Sequence, residues 1–565
     1  MSAYDDAINS ALECLSAGKE SEAVTLARIA FDLKPNDAEA ASLLGLCLAG
    51  QEVTREEAYQ HLRRAVEDEP KEPRWQVHLG QALTKAGRYE EAEKAFAAAA
   101  ELSGGHLGLL MQWGKALRLA GRPADASQVY ARVIQRSPSP AAWLAASEAL
   151  TEARDTINAA FAYEKAFPEP RPDFAEAHLA DLHIALGHYD KAKVFNDSLR
   201  GKNPNDADAG LRAANLMRWT GDIDGAKALL SELWTKHSTH AGLAAALLQD
   251  GNEAPRKIVE TIARDEAANQ DERRRCAFAL CDFADKSGET DAAWEWAVLA
   301  NSLYPKTHQT LKSLREMLDK AIMAYHLMPD ADVSEGARAT NMIYVIGPPR
   351  SGGSLLQTIL ARHDGARSVG ERGALLSFLP QLLDAPDEMA AQIEQLAAAD
   401  IAGMTRAVGM ADYFVDKTPH YFLLAGLLEK VHGGAQFIAP NRDIKDMAIS
   451  LFFHEFGEEF PFTRNLPDIQ EYLDFHESAL VRWGEAGVKI ISHNHDRFVD
   501  DAPSRGAALF KSLGLNWSSS VLEDQAEDGA VRTFSARQVR GGVSAKFKGR
   551  GERYARQLEA AGFRD

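Results

Sequence analysis

The sequence predicts an α-solenoid of paired helices followed by an α/β domain with a parallel sheet. Three observations carry this. Small residues recur with a period of about 34 over the first three hundred positions. The stretch Met342-Ile343-Tyr344-Val345-Ile346-Gly347-Pro348-Pro349-Arg350-Ser351-Gly352-Gly353-Ser354-Leu355-Leu356 passes from an apolar β-favouring run, through a Gly/Pro turn, into the spacing of a buried helix stripe. Beyond it, short apolar runs alternate with helical ones, which is the order of a parallel sheet flanked by helices.

The repeating unit is a glycine before the inter-helix turn, an alanine five residues on, a small or apolar residue seven later and often a closing proline. It is clear in Gly18, Ala23, Ala30, Pro35; in Gly87, Ala92, Ala99; in Gly121, Ala126, Val133, Pro138; and in Gly187, Ala192, Leu199, Pro204. Further copies run through Ala58 and Ala65, Ala159 and Ala166, Gly221 and Ala226, and Gly288, Ala293, Ala300. Eight units are recognisable. Gly221 and Gly288 stand 67 residues apart, two periods, so a degenerate unit is expected between Leu243 and Asp271.

With Tyr89 and Tyr189 near the turns and the pairs Leu44-Gly45 and Leu79-Gly80, this resembles tetratricopeptide repeats. The resemblance implies a right-handed superhelix with a concave groove, either holding an extended peptide or protein or serving as a dimerising or stabilising scaffold. The expected division is repeats over 1–307, connecting helices over 308–340 and the α/β domain over 341–565.

At 565 residues the chain exceeds one core, and 45% hydrophobic with 26% charged residues marks it as globular. A formal charge of −19 argues against a nucleic-acid partner. The acidic N-terminus lacks the features of a signal peptide, and no apolar run reaches bilayer length, so a cytoplasmic protein with no membrane partner is expected. The four cysteines fall in helical patterns and read as buried thiols; Cys276 and Cys281 do not have a zinc spacing.

The loop after the first strand suits a phosphate, since its backbone N–H groups and the helix dipole converge there. Its spacing is P-loop-like: Gly347, four residues, Gly352, then Ser354. The lysine of G-x-x-x-x-G-K-[ST] is missing, however. Gly353 stands in its place and a cation occurs earlier, at Arg350, which disfavours nucleotide hydrolysis and a kinase. Further strands are read at Arg367–Gly370, ending before Glu371; at Phe414–Asp416, before Lys417; at Ala435–Ala439, before Asn441-Arg442-Asp443; and at Val488–Ser492. The candidate polar residues all lie at carboxyl ends of strands, where α/β sheets bind ligands.

Pro-Arg-Ser-Gly after a hydrophobic strand resembles the 5'-phosphosulfate loop of sulfotransferases. From about Asn341 onward the chain is similar to the protein-tyrosine sulfotransferase family and its bacterial relatives fused to tetratricopeptide repeats. The resemblance implies 3'-phosphoadenosine 5'-phosphosulfate (PAPS) as donor, 3',5'-ADP as product and no metal. It places Arg350, Ser351, Gly352, Gly353 and Ser354 on the loop, flanked by Pro349 and Leu355; the family's threonine is replaced by Gly353.

Arg442 and Ser450 match R-D-x-x-D-x-x-x-S, which holds the ribose 3'-phosphate; two helical turns separate them, so both reach one phosphate. Glu371 matches the family's base, and Lys417 the lysine of D-K-x-P. Sulfuryl transfer needs a base for the acceptor's proton and cations for the developing charge, here Lys417 and Arg350. Taken singly, Glu371 also suits a helix N-terminus and Lys417 a solvated position.

His420 is a second candidate base. His493-Asn494-His495 has the look of a metal spacing, yet alternate residues after a strand face opposite ways, and no metal is expected. Gln538 and Arg540 fall in a T-x-S-x-x-Q-V-R segment, and the run Lys546-Phe547-Lys548-Gly549-Arg550 is expected to close over the adenosine and 3'-phosphate. Gly549-Arg550-Gly551 lacks the family's aromatic. The expected activity is sulfuryl transfer from PAPS to a peptide or protein tyrosine. A glycan or small-molecule acceptor, or a nucleotide-sensing scaffold, is the alternative.

Overall fold

The computed structural model describes residues 2–50, 52–305, 311–328, 341–383, 386–457, 460–523, 543–544 and 548–564. By contact the chain forms two compact units, Met1–Pro168 and Glu169–Asp565.

The first unit holds five helix pairs, beginning with Ala3–Ser16 and Glu20–Leu33 and ending with Pro140–Glu152 and Thr156–Ala166. The residues that carry the period make the pairing. Ala23, Ala30, Ala92, Ala99 and Ala126 are wholly buried, so neighbouring helices meet at alanine. At Gly45 even a methyl is too large: a Cβ there would lie 2.7 Å from the Ala58 carbonyl oxygen. Gly18, Gly87 and Gly121 end their helices with φ near +73°, the left-handed conformation glycine adopts without cost. The fifth pair has no such glycine, and Arg154 takes φ +59° in its place.

The second unit continues with four pairs, the last being Gln270–Lys286 and Thr290–Ser302. The expected degenerate unit is present as two nine-residue helices, Ala241–Gln249 and Arg256–Arg264.

A helix Leu311–Leu327 follows, and then a five-stranded parallel sheet of order β2-β3-β1-β4-β5. Its strands are β1 (Asn341–Val345), β2 (Ala366–Gly370), β3 (Tyr413–Asp416), β4 (Gln436–Asn441) and β5 (Ile490–Asn494). The central strand is buried on both faces, and this explains its unbroken apolar run. Met342, Tyr344 and Ile346 point into one core; Ile343 and Val345 point into another with Leu356, Ile359, Leu360 and Phe510.

The first of those cores also takes in Ala241, Val259, Cys276 and Trp296, so the last two helix pairs and the sheet share one interior. Polar bonds accompany the packing. Asn301 Nδ2 donates to the Phe452 carbonyl at 2.8 Å, Tyr304 Oη to that of Phe456 at 2.6 Å, and Arg274 pairs with Glu455 at 2.9 Å. Cys47, Cys276 and Cys281 are buried thiols, and Cys14 is partly so. No helix among the described residues is long and apolar enough to cross a membrane.

Candidate active site

Connections from β1 lead first to β2 and β3 on one side and then, by way of β4, to the other. The strand order therefore reverses beside β1, and a crevice opens there at the carboxyl ends of the strands. The loop after β1 and the turn after β4 form its two lips.

The loop is held tightly. The Ile346 N–H donates to the Ile438 carbonyl at 2.9 Å, and the Pro348 carbonyl accepts from the Ser351 hydroxyl at 2.7 Å. A Cβ on Gly347 would sit 2.5 Å from the Pro440 ring, and one on Gly352, at φ +97°, only 2.2 Å from His495 Nδ1. Both glycines are thus required by close approach, of β4 to the first and of the helix His495–Asp500 after β5 to the second. Gly352 starts the helix Gly353–Ala361, whose first-turn N–H groups and dipole face the crevice mouth. Ser351 and Ser354 are buried. Pro349 is half-buried, whereas Leu355 packs its side chain into the smaller core and leaves only its backbone to the loop.

Arg350 adopts φ +71°, unusual for a residue with a side chain. Its Nε donates to Ser450 Oγ at 2.7 Å, and Nη2 lies 3.5 Å from His454 Nε2. A guanidinium only donates, so that histidine nitrogen is the acceptor. The imidazole is accordingly neutral; burial pushes its pKa well below the usual value, and Arg350, Arg550 and Lys286 push it further. The Arg350 pKa is itself lowered to about 9, first by burial and then by the charges of Arg550 and Arg442.

The second lip is the N-terminus of the helix Ile444–Phe452. Asp443 caps it by accepting the Asp446 N–H at 2.9 Å, and Arg442 Nη2 donates to Asp446 Oδ2 at 2.7 Å. Ser450 lies buried two turns on, where it meets Arg350. The two anion motifs are therefore in direct contact through the Arg350–Ser450 hydrogen bond.

Glu371 and Lys417, from the ends of β2 and β3, form an ion pair. Lys417 is buried, with its stem against the loop: a Cβ on Gly353 would be 3.4 Å from Lys417 Cγ. Their backbones are stitched together. The Lys417 N–H donates to the Gly370 carbonyl at 2.9 Å, the Gly373 N–H to Thr418 Oγ1 at 3.3 Å, and that hydroxyl to Asp416 Oδ1 at 2.7 Å. Burial pushes the Asp416 carboxyl up to about 7. Arg372 turns inward to Asp400 at 2.5 Å, which also meets His432 at 3.1 Å. Burial raises the Asp400 pKa, but Arg372 and His432 outweigh it and hold the group below its ordinary range.

The other sequence candidates divide. His420 stacks on Phe460 with centroids 5.0 Å apart. His493 packs on Phe498, and burial pushes both His493 and His495 down to about 4. Lys548 is exposed and paired with Asp500 at 2.6 Å. Gln538, Arg540 and Lys546 lie outside the described residues. Among the described residues no group of three His, Cys, Asp or Glu is arranged to hold a metal ion.

Two residues, His454 and Asp446, have no role in the sequence reading. His454 supports Arg350 and lies four positions past Ser450. Asp446 was inside the quoted motif without a role; it accepts the N–H groups of Gly549 at 2.9 Å and Gly551 at 2.6 Å. Arg550, the end of the run expected to close over the donor, lies between those amides. A Cβ on Gly551 would be 2.5 Å from the Lys445 carbonyl carbon, which explains why no aromatic occurs there.

The model of the sulfotransferase family matches residues 342–519, and models of the tetratricopeptide repeat match 54–103, 111–173 and 208–240. The chain thus carries a sulfotransferase domain preceded by tetratricopeptide repeats. An uncharacterised protein of Aquifex aeolicus (strain VF5) is 22% identical over 551 residues, 89% of this chain and 71% of that one. Among solved structures, Pseudomonas aeruginosa PilF is 21% identical, with 36% of this chain and 93% of that one covered and a TM-score of 0.29. The Naa15/Naa10 complex bound to HypK is 14% identical, with 99% and 92% covered and a TM-score of 0.37. A thermophilic tetratricopeptide protein of Thermus thermophilus is 17% identical, with 38% and 98% covered and a TM-score of 0.23.

Proposed function

We propose that this protein transfers the sulfuryl group of PAPS to a hydroxyl, with a tyrosine side chain in a peptide or protein as first-choice acceptor. The observation that carries the reading is the Arg350–Ser450 hydrogen bond, which joins two anion clamps. A donor with one phosphate bearing the sulfuryl group and another on the ribose has two anions to place. ATP would require a lysine at Gly353 instead.

In this reading the loop from Pro349 to Leu355 (Arg350, Ser351, Gly352, Gly353, Ser354) takes the phosphosulfate, and Arg442 and Ser450 take the ribose phosphate. Glu371 accepts the acceptor's proton as its oxygen attacks sulfur. The bond from sulfur to the bridging oxygen breaks, and 3',5'-ADP leaves with the pair of electrons. Lys417 and Arg350 hold the charge that gathers on the sulfuryl and bridging oxygens. Lys417 lies against Gly353, so a sulfuryl group on the loop would meet its ammonium and draw it from Glu371, freeing the base.

Gln538, Arg540, Lys546 and Lys548 complete the donor site from the C-terminal segment; an exposed pair such as Lys548–Asp500 costs little to break. Residues 1–307 act as the recruiting module, 308–340 as a connector and 341–565 as the catalytic module, in a cytoplasmic setting. The repeats present the acceptor peptide, and no metal takes part.

The test is PAPS consumption with peptide, glycan and small-molecule pools, together with Glu371→Ala. Sulfated tyrosine, turnover abolished by the substitution and retained 3',5'-ADP binding are the expected results. Sulfated glycan would move the acceptor class. A wild-type chain that binds 3',5'-ADP but is inert with every pool would replace the enzyme by a nucleotide sensor.

A further inference from the structure

Asp285 belongs to the last helical hairpin, in the helix Gln270–Lys286, yet its carboxylate is buried among residues of the chain's end. Oδ2 pairs with Arg550 Nη2 at 2.9 Å, and Oδ1 accepts from Tyr554 Oη at 2.5 Å and pairs with Arg553 at 3.1 Å.

Arg550 is fixed from the other side by Asp446, whose two oxygens accept the N–H groups of Gly549 and Gly551 while it also binds Arg442. The arginine's backbone is thereby clamped onto the helix that carries Arg442 and Ser450. Its guanidinium lies over the Phe453 ring, 5.4 Å from the centroid. Nε is buried and has no hydrogen-bond partner among the described residues. A buried donor without an acceptor is costly. Arg550 also adds to the positive field at Arg350 and His454, so its charge reaches the same end of the crevice.

We infer that Asp285, a residue of the helical-repeat half, is a positioning residue for the donor site: acting through Arg550, it holds a third cation where the ribose 3'-phosphate binds. Asp285 takes the outer Nη2 and the Asp446 clamp holds the backbone, so Nε remains to donate to a phosphate oxygen. The last helical hairpin is thus a wall of the nucleotide pocket as well as part of the repeat array. This rests on the PAPS reading.

The experiment uses the full chain and two probes, 3',5'-ADP and 5'-AMP, which differ only in the 3'-phosphate. By titration calorimetry, Asp285→Asn is expected to weaken 3',5'-ADP about tenfold, the scale of a charge-assisted hydrogen bond, and to leave 5'-AMP within about twofold. Arg550→Gln is expected to do the same, and the double variant to be no weaker than Arg550→Gln alone, because Asp285 acts through that arginine. Asp285→Glu is expected to recover part of the loss. Tyr554→Phe, which removes another donor from the same carboxylate, is expected to leave the ratio of the two affinities unchanged.

Equal weakening of both nucleotides, or additive losses in the double variant, would mean that Asp285 only stabilises the fold and would overturn the inference. Should Asp285→Asn fail to fold, Arg550→Gln decides alone: an unchanged ratio overturns the proposal. A wild-type chain that does not prefer 3',5'-ADP to 5'-AMP overturns the PAPS reading, and this inference with it.

Discussion

Arg350 holds a backbone conformation that costs a residue with a side chain about 1–2 kcal/mol, and burial and two neighbouring cations both disfavour its charge. Such an arrangement persists where the side chain has a task. Arg350→Gly is expected to leave thermal stability unchanged or raise it by about 1 kcal/mol. It should at the same time remove measurable 3',5'-ADP binding; calorimetric melts and a titration check both halves.

Asp416 offers a pH test. Its folded pKa of about 7 lies above the ordinary value of about 3.9, so the folded state binds the proton more tightly. The resulting stability is full below pH 4, falls as pH rises toward 7 and is lost above that. Asp416→Asn removes this dependence. The stability of wild type minus that of the variant, from urea unfolding, should decline between pH 4 and 7 and level off above. A flat difference would mean that the carboxyl is ionised throughout.

At the scale of elements, the loop is fixed by what comes near it. A methyl on Gly352 meets His495 at 2.2 Å in a backbone conformation that disfavours any side chain. Gly352→Ala should therefore cost roughly 1–3 kcal/mol in denaturant unfolding, and His495→Ala on that background should recover only the steric share.

The loop was legible in sequence because strand, Gly/Pro turn and helix stripe are contiguous, each with its own pattern. The turn that carries Arg442 was legible for a similar reason: strand end, Asp443 cap and the helix that holds Ser450 follow one another in sequence. The Arg350–Ser450 bond spans 100 residues, and nothing local announces it. Asp446 was read only as part of a motif because its partners at Gly549 and Gly551 lie more than 100 residues away. Lys548 shows the converse: a basic residue in a basic run finds an acidic neighbour, Asp500, that the run does not contain.

At the scale of the molecule, alanine periodicity and alternating strand and helix patterns were sufficient for the fold, including the two short helices of the degenerate repeat. They did not show that packing and proposed task divide the chain at different places. The core containing Tyr344 and Phe437 also contains Ala244, Cys276 and Trp296, joined by Asn301–Phe452 and Tyr304–Phe456. A fragment starting at residue 308 leaves that surface bare, and it should aggregate or lack a cooperative melt. A fragment starting at residue 169, the second compact unit, should unfold in one sharp transition by calorimetry.

The contact between Gly353 and the Lys417 stem couples two positions far apart in sequence. A Cβ would reach Lys417 Cγ and Val345 Cγ1 at 3.4 Å each, so a methyl just fits, whereas the branches of a threonine press on the lysine. Gaining a hydroxyl at this spot therefore requires the ammonium to be resettled first. The bare α-carbon and the lysine stem beside it are one steric unit, and a change at either is felt at the other.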